Sequence, residues 1–269
     1  FISTGMGTPF EDIAFLATSR NRVGVLKSLE RSPLKRKSLQ AELGISQPTA
    51  SRILRDLRER EWIVRHEDGY ELTWVGEQTI RAFSNLQAEL DAVHHLKDIA
   101  PMLPEEGFDF DLAQLRTADV VRIAEGESGL ARTHENAHLA SAAHVRILTA
   151  FVPKQGVKTT WNQVTAGKQD LELVIEAGTV SVIRADPDLT RWTREMLASD
   201  RAEVYRFDGD IGFPILITDD TVHLALPKDD VEGMAWISTT DEGVLDWAEA
   251  TFEDHRERAV QLTAGDVAG

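Results

Sequence analysis

The stretch LGISQPTASRILRDLRERE, residues 43–61, constrains the fold more than any other part of the chain. Gly44 suits the left-handed backbone that ends a helix. Ser46 and Pro48 suit the first turn of the next helix, where a side-chain oxygen accepts a free backbone N–H and a missing N–H costs nothing. The buried stripe of this second helix consists of Ile53, Leu54 and Leu57. A helix, a tight turn with Gly and a second, polar helix predict a helix-turn-helix.

The flanking sequence predicts the rest of a winged-helix domain. The segments EDIAFLATS and NRVGVLKSLE have apolar residues at helical spacing, and LKRKSLQAELGI predicts a third helix that ends at Gly44. After the second helix of the motif, EWIVRHEDGYELT predicts a strand over Trp62–His66, an Asp68-Gly69 turn and a returning strand over Tyr70–Leu72. A hairpin directly after a recognition helix is the wing of a winged helix.

Charge is unevenly distributed along the chain. The formal net charge is -16, from 29 basic and 45 acidic residues. Residues 19–66 nevertheless contain 12 basic and 5 acidic residues, a net charge of +7, which leaves -23 on the remainder. A basic segment in an acidic chain is typical of a nucleic-acid-binding domain. The acid excess, with only 8 lysines beside 21 arginines, also predicts adaptation to strong salt, and an ordinary acidic cytoplasmic protein is the alternative.

The polar face of the recognition helix predicts how the domain contacts double-stranded promoter DNA. Its amino-terminal half is expected in the major groove, where Arg favours guanine and Gln favours adenine. The candidates for base edges are Gln47, Thr49, Ser51 and Arg52. The candidates for the sugar-phosphate backbone are Lys35, Arg36, Lys37, Arg55 and Arg65, together with Ser46 and His66. The alternative is that the arginines form a solvated helix face. In concentrated salt phosphate contacts weaken, so base contacts and dimeric binding must carry more of the affinity.

These segments also carry a family resemblance. LGISQPTASRILRDLRERE, WIVRHEDGYELTWVGE and SRNRVGVLKSLE resemble the amino-terminal domain of archaeal, specifically haloarchaeal, winged-helix transcription regulators, over about residues 10–96. The resemblance implies a sequence-specific DNA-binding domain, which we assign to residues 10–73.

A connector helix is predicted over residues 74–100. Thr73 is suited to cap this helix and Pro101 to end it. Its apolar residues alternate by three and four, the spacing of a narrow coiled-coil seam, and they are Phe83, Leu86, Leu90 and Val93. We interpret the helix as part of a homodimer interface, and a helix packed on the second domain is the alternative. A dimer would read two half-sites about one helical turn of DNA apart, or a multiple of it.

Strands and helices alternate in the second domain, residues 108–262. Strands are predicted at 118–124, 144–152, 171–177, 202–207, 213–219, 221–227 and 233–239. Helices are predicted at 131–143, 157–166, 189–199 and 241–262. This alternation predicts a covered, mixed α/β sheet. The predicted fold class is therefore an α+β winged helix-turn-helix domain, a connector helix and an α/β domain with a mixed sheet.

The second domain has a resemblance of its own. ASDRAEVYRFDGDIGFPILITDDTVHLALPKDD and AWISTTDEGVLDWAEATFEDHRERA resemble the effector-sensing domain of methanogenesis-regulatory-protein-type and TrmB-type archaeal regulators, which implies a phospholipase-D-like fold. Phospholipase D chemistry needs His-x-Lys and, after a gap of four residues, Asp. Ala225 stands in the lysine position after His223, and the HLK segment that begins at His95 has Met102 in the Asp position. We therefore predict no catalytic residue and no enzyme activity.

A small-molecule effector is expected beyond the carboxyl ends of the strands, the usual ligand position in an open α/β sheet. The residues at those ends are Thr149, Phe151, Lys154, Glu176, Asp208 and Asp210. Lys154 is suited to a phosphate or carboxylate, and a solvated loop position is the alternative for each of the six. The TrmB-type resemblance implies a sugar or sugar-phosphate effector, no other cofactor, and control of central carbon metabolism genes.

Composition and motifs exclude other classes of protein. The chain has no Cys, which rules out disulfides, thiolate nucleophiles and Cys-ligated zinc. It has no Gly-rich phosphate loop and no nucleophile elbow. HENAH contains two histidines, His134 and His138, but no third ligand is evident and no metal site is predicted. The apolar runs are too short to cross a bilayer and no leader precedes them, so we expect a cytoplasmic protein without a membrane partner. We interpret FISTG before Met6 as a residual expression tag and leave it out of fold reasoning.

Together these features predict a dimeric, effector-responsive transcription regulator of a halophilic archaeon. One alternative is a DNA-tethered hydrolase whose α/β domain cleaves a phosphoester. Another is a winged helix used only for protein contacts.

Overall fold

In a computed structural model of the chain, the described residues are 8–104, 108–123, 137–227 and 234–267. The FISTG segment, His134 and residues 131–136 of the helix predicted over 131–143 lie outside them. The chain divides into two compact units, residues 1–90 and 91–269. Among the described helices, none is both long and apolar enough to span a bilayer.

The first unit contains the predicted winged helix. Its elements are α1 Pro9–Ala17, α2 Arg20–Arg31, α3 Arg36–Leu43, α4 Gln47–Glu59, β1 Ile63–His66, β2 Gly69–Leu72 and the first part of α5, Trp74–Leu96. One core joins these elements, and its buried residues include Leu16, Leu26, Leu39, Leu54, Leu57, Trp62, Ile80 and Phe83.

The turn between α3 and α4 has the geometry that the sequence predicts. Gly44 has a φ of 64° and lies in the left-handed region at the end of α3. The Ser46 hydroxyl accepts a hydrogen bond from the Thr49 backbone N–H at 3.3 Å, which caps α4. These two local interactions end one helix and begin the next within three residues, and the helix-turn-helix prediction is confirmed.

The wing differs from the prediction in the position of its turn. His66 pairs with Gly69, so the two turn residues are Glu67 and Asp68 and not Asp68 and Gly69. Gly69 begins β2 with a φ of 149°, and a Cβ there would lie 2.6 Å from the Leu34 carbonyl oxygen. Glycine is required at this position because the backbone before α3 passes close to the wing, where Leu34 and the second strand share a β-bridge.

Helix α5 begins as predicted, with the Thr73 hydroxyl accepting from the Gly76 backbone N–H at 3.2 Å. The helix ends at Leu96, earlier than the predicted end near Pro101, and a short 3₁₀ turn follows at Ala100–Met102. Ile80 and Phe83 belong to the core of the first unit, so this part of α5 is an integral part of the winged-helix domain.

The second unit is built on an eight-stranded mixed sheet with the strand order β10-β6-β5-β4-β7-β8-β9-β3. The strands are β3 Asp119–Ile123, β4 His144–Thr149, β5 Asp170–Glu176, β6 Ala202–Phe207, β7 Ile215–Thr218, β8 Thr221–Pro227, β9 Met234–Thr239 and β10 Val260–Gln261. Strands β4, β5 and β6 are parallel, and the other neighbouring pairs are antiparallel. The predicted mixed sheet is confirmed.

Helices cover both faces of this sheet. The helices are α6 Lys154–Thr165, α7 Ala177–Ala185, α8 Pro187–Leu197 and α9 Glu242–Glu257. Alternation along β5 sends Leu173 and Ile175 into the core under α6, α7 and α8, and Val174 into the core under α9. Both faces are therefore apolar, as expected for a strand buried on two sides.

Several boundaries in the second unit differ from the predictions. Helix α7 follows β5 without a loop and was missed, because AGTVSVIRA combines a short apolar pattern with two β-branched valines. The predicted helix over 241–262 ends at Glu257, since the chain then turns to add β10 to the edge of the sheet. Helix α8 begins at Pro187, where the Asp186 carboxylate accepts from the first free backbone N–H groups.

Candidate functional site

Helix α4 has one buried face and one exposed polar face. The buried residues of this helix are Ala50, Ile53, Leu54 and Leu57. On the opposite face Gln47, Arg52, Arg55 and Arg58 are exposed, and Thr49 and Ser51 are partly exposed. Since one side of α4 is held in the core, the position of the other side is fixed by the domain and not by the helix alone.

The side chains predicted to contact DNA differ in whether they already form ion pairs or hydrogen bonds with other residues of the protein. Arg52 is exposed and makes no ion pair with any described residue. Arg55 lies 3.2 Å from Asp56 and 3.7 Å from Glu59, so its charge is partly compensated. Arg36 donates to the Ser51 hydroxyl at 3.3 Å, which joins the start of α3 to the recognition helix. Ser46 uses its hydroxyl for the helix cap.

Lys35 and Lys37 are exposed beside Arg36 and form no ion pair within the described part of the chain. Three basic residues thus lie at the start of α3, next to the polar face of α4. Such a cluster can contact phosphate on either side of a major groove.

The wing is less basic than the sequence suggests. Arg65 and His66 are exposed as predicted, but the His66 ring nitrogen lies 2.6 Å from a carboxylate oxygen of Glu71. Glu67 and Asp68 form the exposed turn, so two carboxylates lie at the tip. Carboxylates repel phosphate, so the wing tip is less suited to a DNA backbone than the basic start of α3.

Not every arginine of the basic segment faces outward. The Arg60 guanidinium donates to Asp12 at 2.5 Å and lies 4.0 Å from the centre of the Phe15 ring. Arg31 is bonded to Glu42. The charges of these two side chains are thus compensated within the domain, while Arg58, which was not among the predicted contacts, is exposed on α4.

The second unit contains a cavity of about 340 Å³ between the sheet and its covering helices. One wall is the face of strands β4, β5, β7, β8 and β9, and the other is formed by α6, α7 and α8. Aliphatic side chains and Trp236 provide most of the lining, and Phe151 at the end of β4 is partly exposed at its edge.

Two of the six predicted effector residues, Thr149 and Phe151, line this cavity. The Thr149 hydroxyl donates to the Phe151 carbonyl at 2.9 Å. Lys154 lies outside the lining, with its ammonium group 2.9 Å from Asp186 and 3.0 Å from Asp188. The hydrogen bonds that the Lys154 ammonium group donates to Asp186 and then to Asp188 raise its pKa, so this charge is already satisfied.

The other three predicted residues are also outside the cavity lining. The Glu176 carboxylate accepts from the Ile211 backbone N–H at 2.7 Å. Asp208 lies 3.0 Å from Arg206, and Asp210 is exposed. These residues lie at or after the ends of their strands, as predicted, but none of the three lines the cavity.

His223 is the one ionisable residue among the described residues that line the cavity. Its ring nitrogens are hydrogen-bonded to the hydroxyls of Thr218 at 2.8 Å and Ser238 at 2.9 Å. Burial, reinforced by the neighbouring His138, lowers the pKa of His223 to about 3. The imidazole is therefore neutral at physiological pH.

Sequence reasoning missed two further polar groups of the lining, Thr160 on α6 and Thr193 on α8. No local signal could have found them, because an isolated threonine in an amphipathic helix has no distinctive spacing. Only the packing of both helices on the sheet brings their hydroxyls to the same cavity.

The histidines do not form a metal centre within the described chain. The His138 ring packs against the His223 ring with a centroid distance of 4.2 Å. No group of three or more His, Asp or Glu side chains in the described ranges is arranged to hold a metal ion.

The first unit is a winged helix with an exposed polar recognition helix, and the second is a separate α/β unit with a ligand-sized cavity. Together these features define a class of protein, the winged-helix regulators with a second domain. Residues 10–95 match the family model of the HVO_A0261 N-terminal domain. Residues 132–258 match the model of the middle domain of the methanogenesis regulatory protein FilR1. The chain thus combines an archaeal-regulator winged helix with a FilR1-type second domain, and the family resemblance seen in the sequence is confirmed.

Solved structures resemble the chain at a lower level. TrmBL2, titled an archaeal chromatin protein with a novel mode of DNA binding, is 16% identical with a TM-score of 0.42, and the match covers 95% of this chain and 100% of that one. The phospholipase D family member Nuc from Salmonella typhimurium is 14% identical with a TM-score of 0.41, over 54% of this chain and 99% of that one. NucT from Helicobacter pylori is 12% identical with a TM-score of 0.42, over the same shares. Such scores carry no conclusion about fold or function. No curated protein matches the chain.

Proposed function

We propose that the protein is a dimeric transcription regulator that binds specific promoter sites through α4 and responds to a small molecule bound in its second domain. The observation that carries the proposal is the unpaired, exposed Arg52 on the polar face of a helix that its hydrophobic face holds in the core. A net charge of +7 over residues 19–66 of an otherwise acidic chain supports the same conclusion.

Base recognition is assigned to the first turns of α4. Gln47 and Arg52 have free polar ends that suit the edges of adenine and guanine. The Ser51 hydroxyl accepts a hydrogen bond from Arg36, so a residue assigned to base contact is bonded to a residue assigned to phosphate contact. Lys35 and Lys37 complete the phosphate contacts. Because the wing tip is acidic, we assign it a minor role.

The second copy of the chain is proposed to dock on α5. Leu86, Leu90 and Val93 are spaced by four and three residues on this helix, and they remain 36%, 50% and 49% exposed. Phe83, the first residue of the predicted seam, is buried in the core of its own domain and is unavailable. The side chains of Leu86, Leu90 and Val93 suit the self-association of two α5 helices, and that pairing sets the spacing of the two DNA half-sites.

Ligand control requires that the effector bind one dimer geometry more tightly than another, typically by about 1 to 3 kcal/mol. The TrmB-type resemblance supports genes of sugar and central carbon metabolism as the targets, in the cytoplasm of a halophilic archaeon. Chromatin immunoprecipitation during growth on different carbon sources would identify both the sites and the signal. Occupancy that is independent of carbon source would contradict this part of the proposal.

We propose no enzymatic role for the second domain. His223 is neutral, and hydroxyl groups occupy both of its ring nitrogens. Ala225, two residues on, points into the same cavity and offers no cation to hold a phosphate. Turnover of phosphodiesters by the purified chain would reverse this assignment in favour of the tethered hydrolase.

The test of DNA recognition compares two arginine substitutions. Genomic fragments that the wild-type chain enriches near molar KCl would be sequenced, and the affinity for one of them measured by fluorescence anisotropy. Arg52→Ala is expected to cost about 1 to 3 kcal/mol and to relax base preference at one position. Arg194→Ala is the matched control, since Arg194 is exposed on α8 and forms no ion pair with a described residue. The proposal fails if wild-type protein enriches no fragment, or if both variants bind equally well.

A further inference from the structure

We infer that the cavity of the second domain binds an uncharged, predominantly apolar small molecule that has one or two hydroxyl or carbonyl groups. The inference deepens the proposed ligand response, and it departs from the sugar or sugar phosphate that the family resemblance implies. It rests on the volume of the cavity, the absence of charge on its described walls and the placement of two hydroxyl groups.

The volume of the cavity exceeds that of a packing defect. About 340 Å³ lies within the range of roughly 300 to 1,000 Å³ that is typical of small-molecule sites. The cavity is mostly apolar, and its open edge at Phe151 gives a ligand a way in. A concave apolar site of this size with a few polar groups is the usual form of a small-molecule site.

The described walls provide no charge for an anionic ligand. The side chains that face the cavity from the sheet include Ile147, Leu173, Leu216 and Trp236, and His223 is neutral. Lys154 is the one cation among the predicted effector residues, but it is not part of the lining and its ammonium group is paired with two carboxylates. A phosphate in this cavity would lose its hydration without gaining a counterion, which is strongly unfavourable.

The walls also provide too few hydrogen bonds for a sugar. A bound sugar must replace the water on each of its hydroxyl groups, and each buried group left unpaired is unfavourable. Thr149 already donates within its own loop, and both nitrogens of His223 are occupied. Of the polar side chains in the described lining, those of Thr160 and Thr193 remain.

The free side-chain hydroxyls of the described lining belong to Thr160 and Thr193. Both threonines are 3% exposed, and neither hydroxyl is hydrogen-bonded to a described residue. A hydroxyl group can donate or accept, so the pair suits a ligand hydroxyl or a carbonyl oxygen. The aliphatic and indole surface of the remaining lining suits a hydrocarbon or aromatic body.

The experiment uses the full-length chain and N-phenyl-1-naphthylamine, an uncharged dye whose fluorescence increases in apolar surroundings. We expect saturable binding of one dye per chain and displacement by 1-decanol, but not by glucose or glucose 6-phosphate. Absence of saturable binding, or displacement by glucose 6-phosphate, would overturn the inference.

Variants locate the binding in the cavity. Ala225→Phe should abolish saturable dye binding because the added ring fills the ligand volume, whereas Val182→Phe adds the same ring to the exposed face of α7 and should bind normally. If Ala225→Phe does not fold, Thr193→Leu fills the cavity from the helical wall. Folded filling variants that bind the dye as tightly as wild type would refute the location.

A conservative pair tests the Thr193 hydroxyl. Thr193→Val removes one hydroxyl at nearly constant shape and should weaken displacement by 1-decanol about 2- to 10-fold, the range for one neutral hydrogen bond. Thr165→Val on the exposed side of α6 is the control and should have no effect. Because dye binding is measured without DNA, its failure would leave the DNA-binding proposal standing, and a failure of DNA binding would leave the ligand result intact.

Discussion

Acid should destabilise the second domain through His223 in particular. The folded chain holds this imidazole at a pKa of about 3, mainly because of burial, whereas an ordinary histidine has a pKa of 6.5. Above pH 6.5 the ring is neutral in both the folded and the unfolded chain, and the stability is unaffected. Below that pH the His223 ring is protonated in the unfolded chain but remains neutral in the folded chain. The free energy of unfolding therefore falls until the pH approaches 3.

The size of this effect follows from the two pKa values. Integration from pH 7 to pH 5 gives a loss of about 2 kcal/mol. Replacing His223 by Gln removes the titration while keeping an amide that can bond to the hydroxyls of Thr218 and Ser238. Wild type is therefore expected to lose about 2 kcal/mol more than His223→Gln over this interval.

Urea unfolding followed by tryptophan fluorescence at pH 7 and pH 5 provides the measurement. Because the chain has two compact units, the transition of the second unit is identified as the one that His223→Gln moves at pH 7. His144→Gln, at a histidine whose side chain is 74% exposed, is the control and should retain the pH dependence of wild type. If wild type and His223→Gln lose the same stability between the two pH values, the imidazole is not excluded from protonation and the reasoning is refuted.

Three further predictions follow from the geometry. Leu90→Glu should shift the chain from dimer to monomer in light scattering after size exclusion, whereas Gln87→Glu, which adds the same charge elsewhere on α5, should not. Gly69→Ala should lower the stability of the first domain by about 1 to 3 kcal/mol in thermal unfolding, because the added Cβ would meet the Leu34 carbonyl. Gly178→Ala is the control: a Cβ there has no neighbour within 4 Å, so the change should be neutral or stabilising by up to about 1 kcal/mol. Lys154→Ala should leave the affinity of the cavity for N-phenyl-1-naphthylamine unchanged in a fluorescence titration.

The winged helix was predictable from sequence because its decisive interactions are local. Ser46 caps a helix that begins at the next residue, and Gly44 ends the helix before it. The wing turn was misplaced by one residue, since Gly69 appeared to be a turn glycine. Its actual reason is the close approach of Leu34, 35 residues earlier in the chain, which no local pattern reveals.

The candidate ligand site was predictable only in part for the same reason. The rule that ligands lie beyond strand ends selects Thr149 and Phe151, and the structure places both in the lining of the cavity. It also selects Lys154 and Glu176, whose charges are satisfied by Asp186 and by the Ile211 backbone N–H. Whether a charged side chain is free depends on partners that are distant in sequence, and a pattern read from neighbouring residues cannot supply them.

By itself, the sequence determined the order of the domains, the polar recognition helix with its caps and the basic segment that surrounds it, because periodicity, capping and charge are properties of short stretches. Only the tertiary structure decided the order of the eight strands, the exposure of Leu90 in place of Phe83, and a cavity whose walls come from five strands and three helices. These features depend on which distant side chains meet, and that is settled by packing over the whole domain.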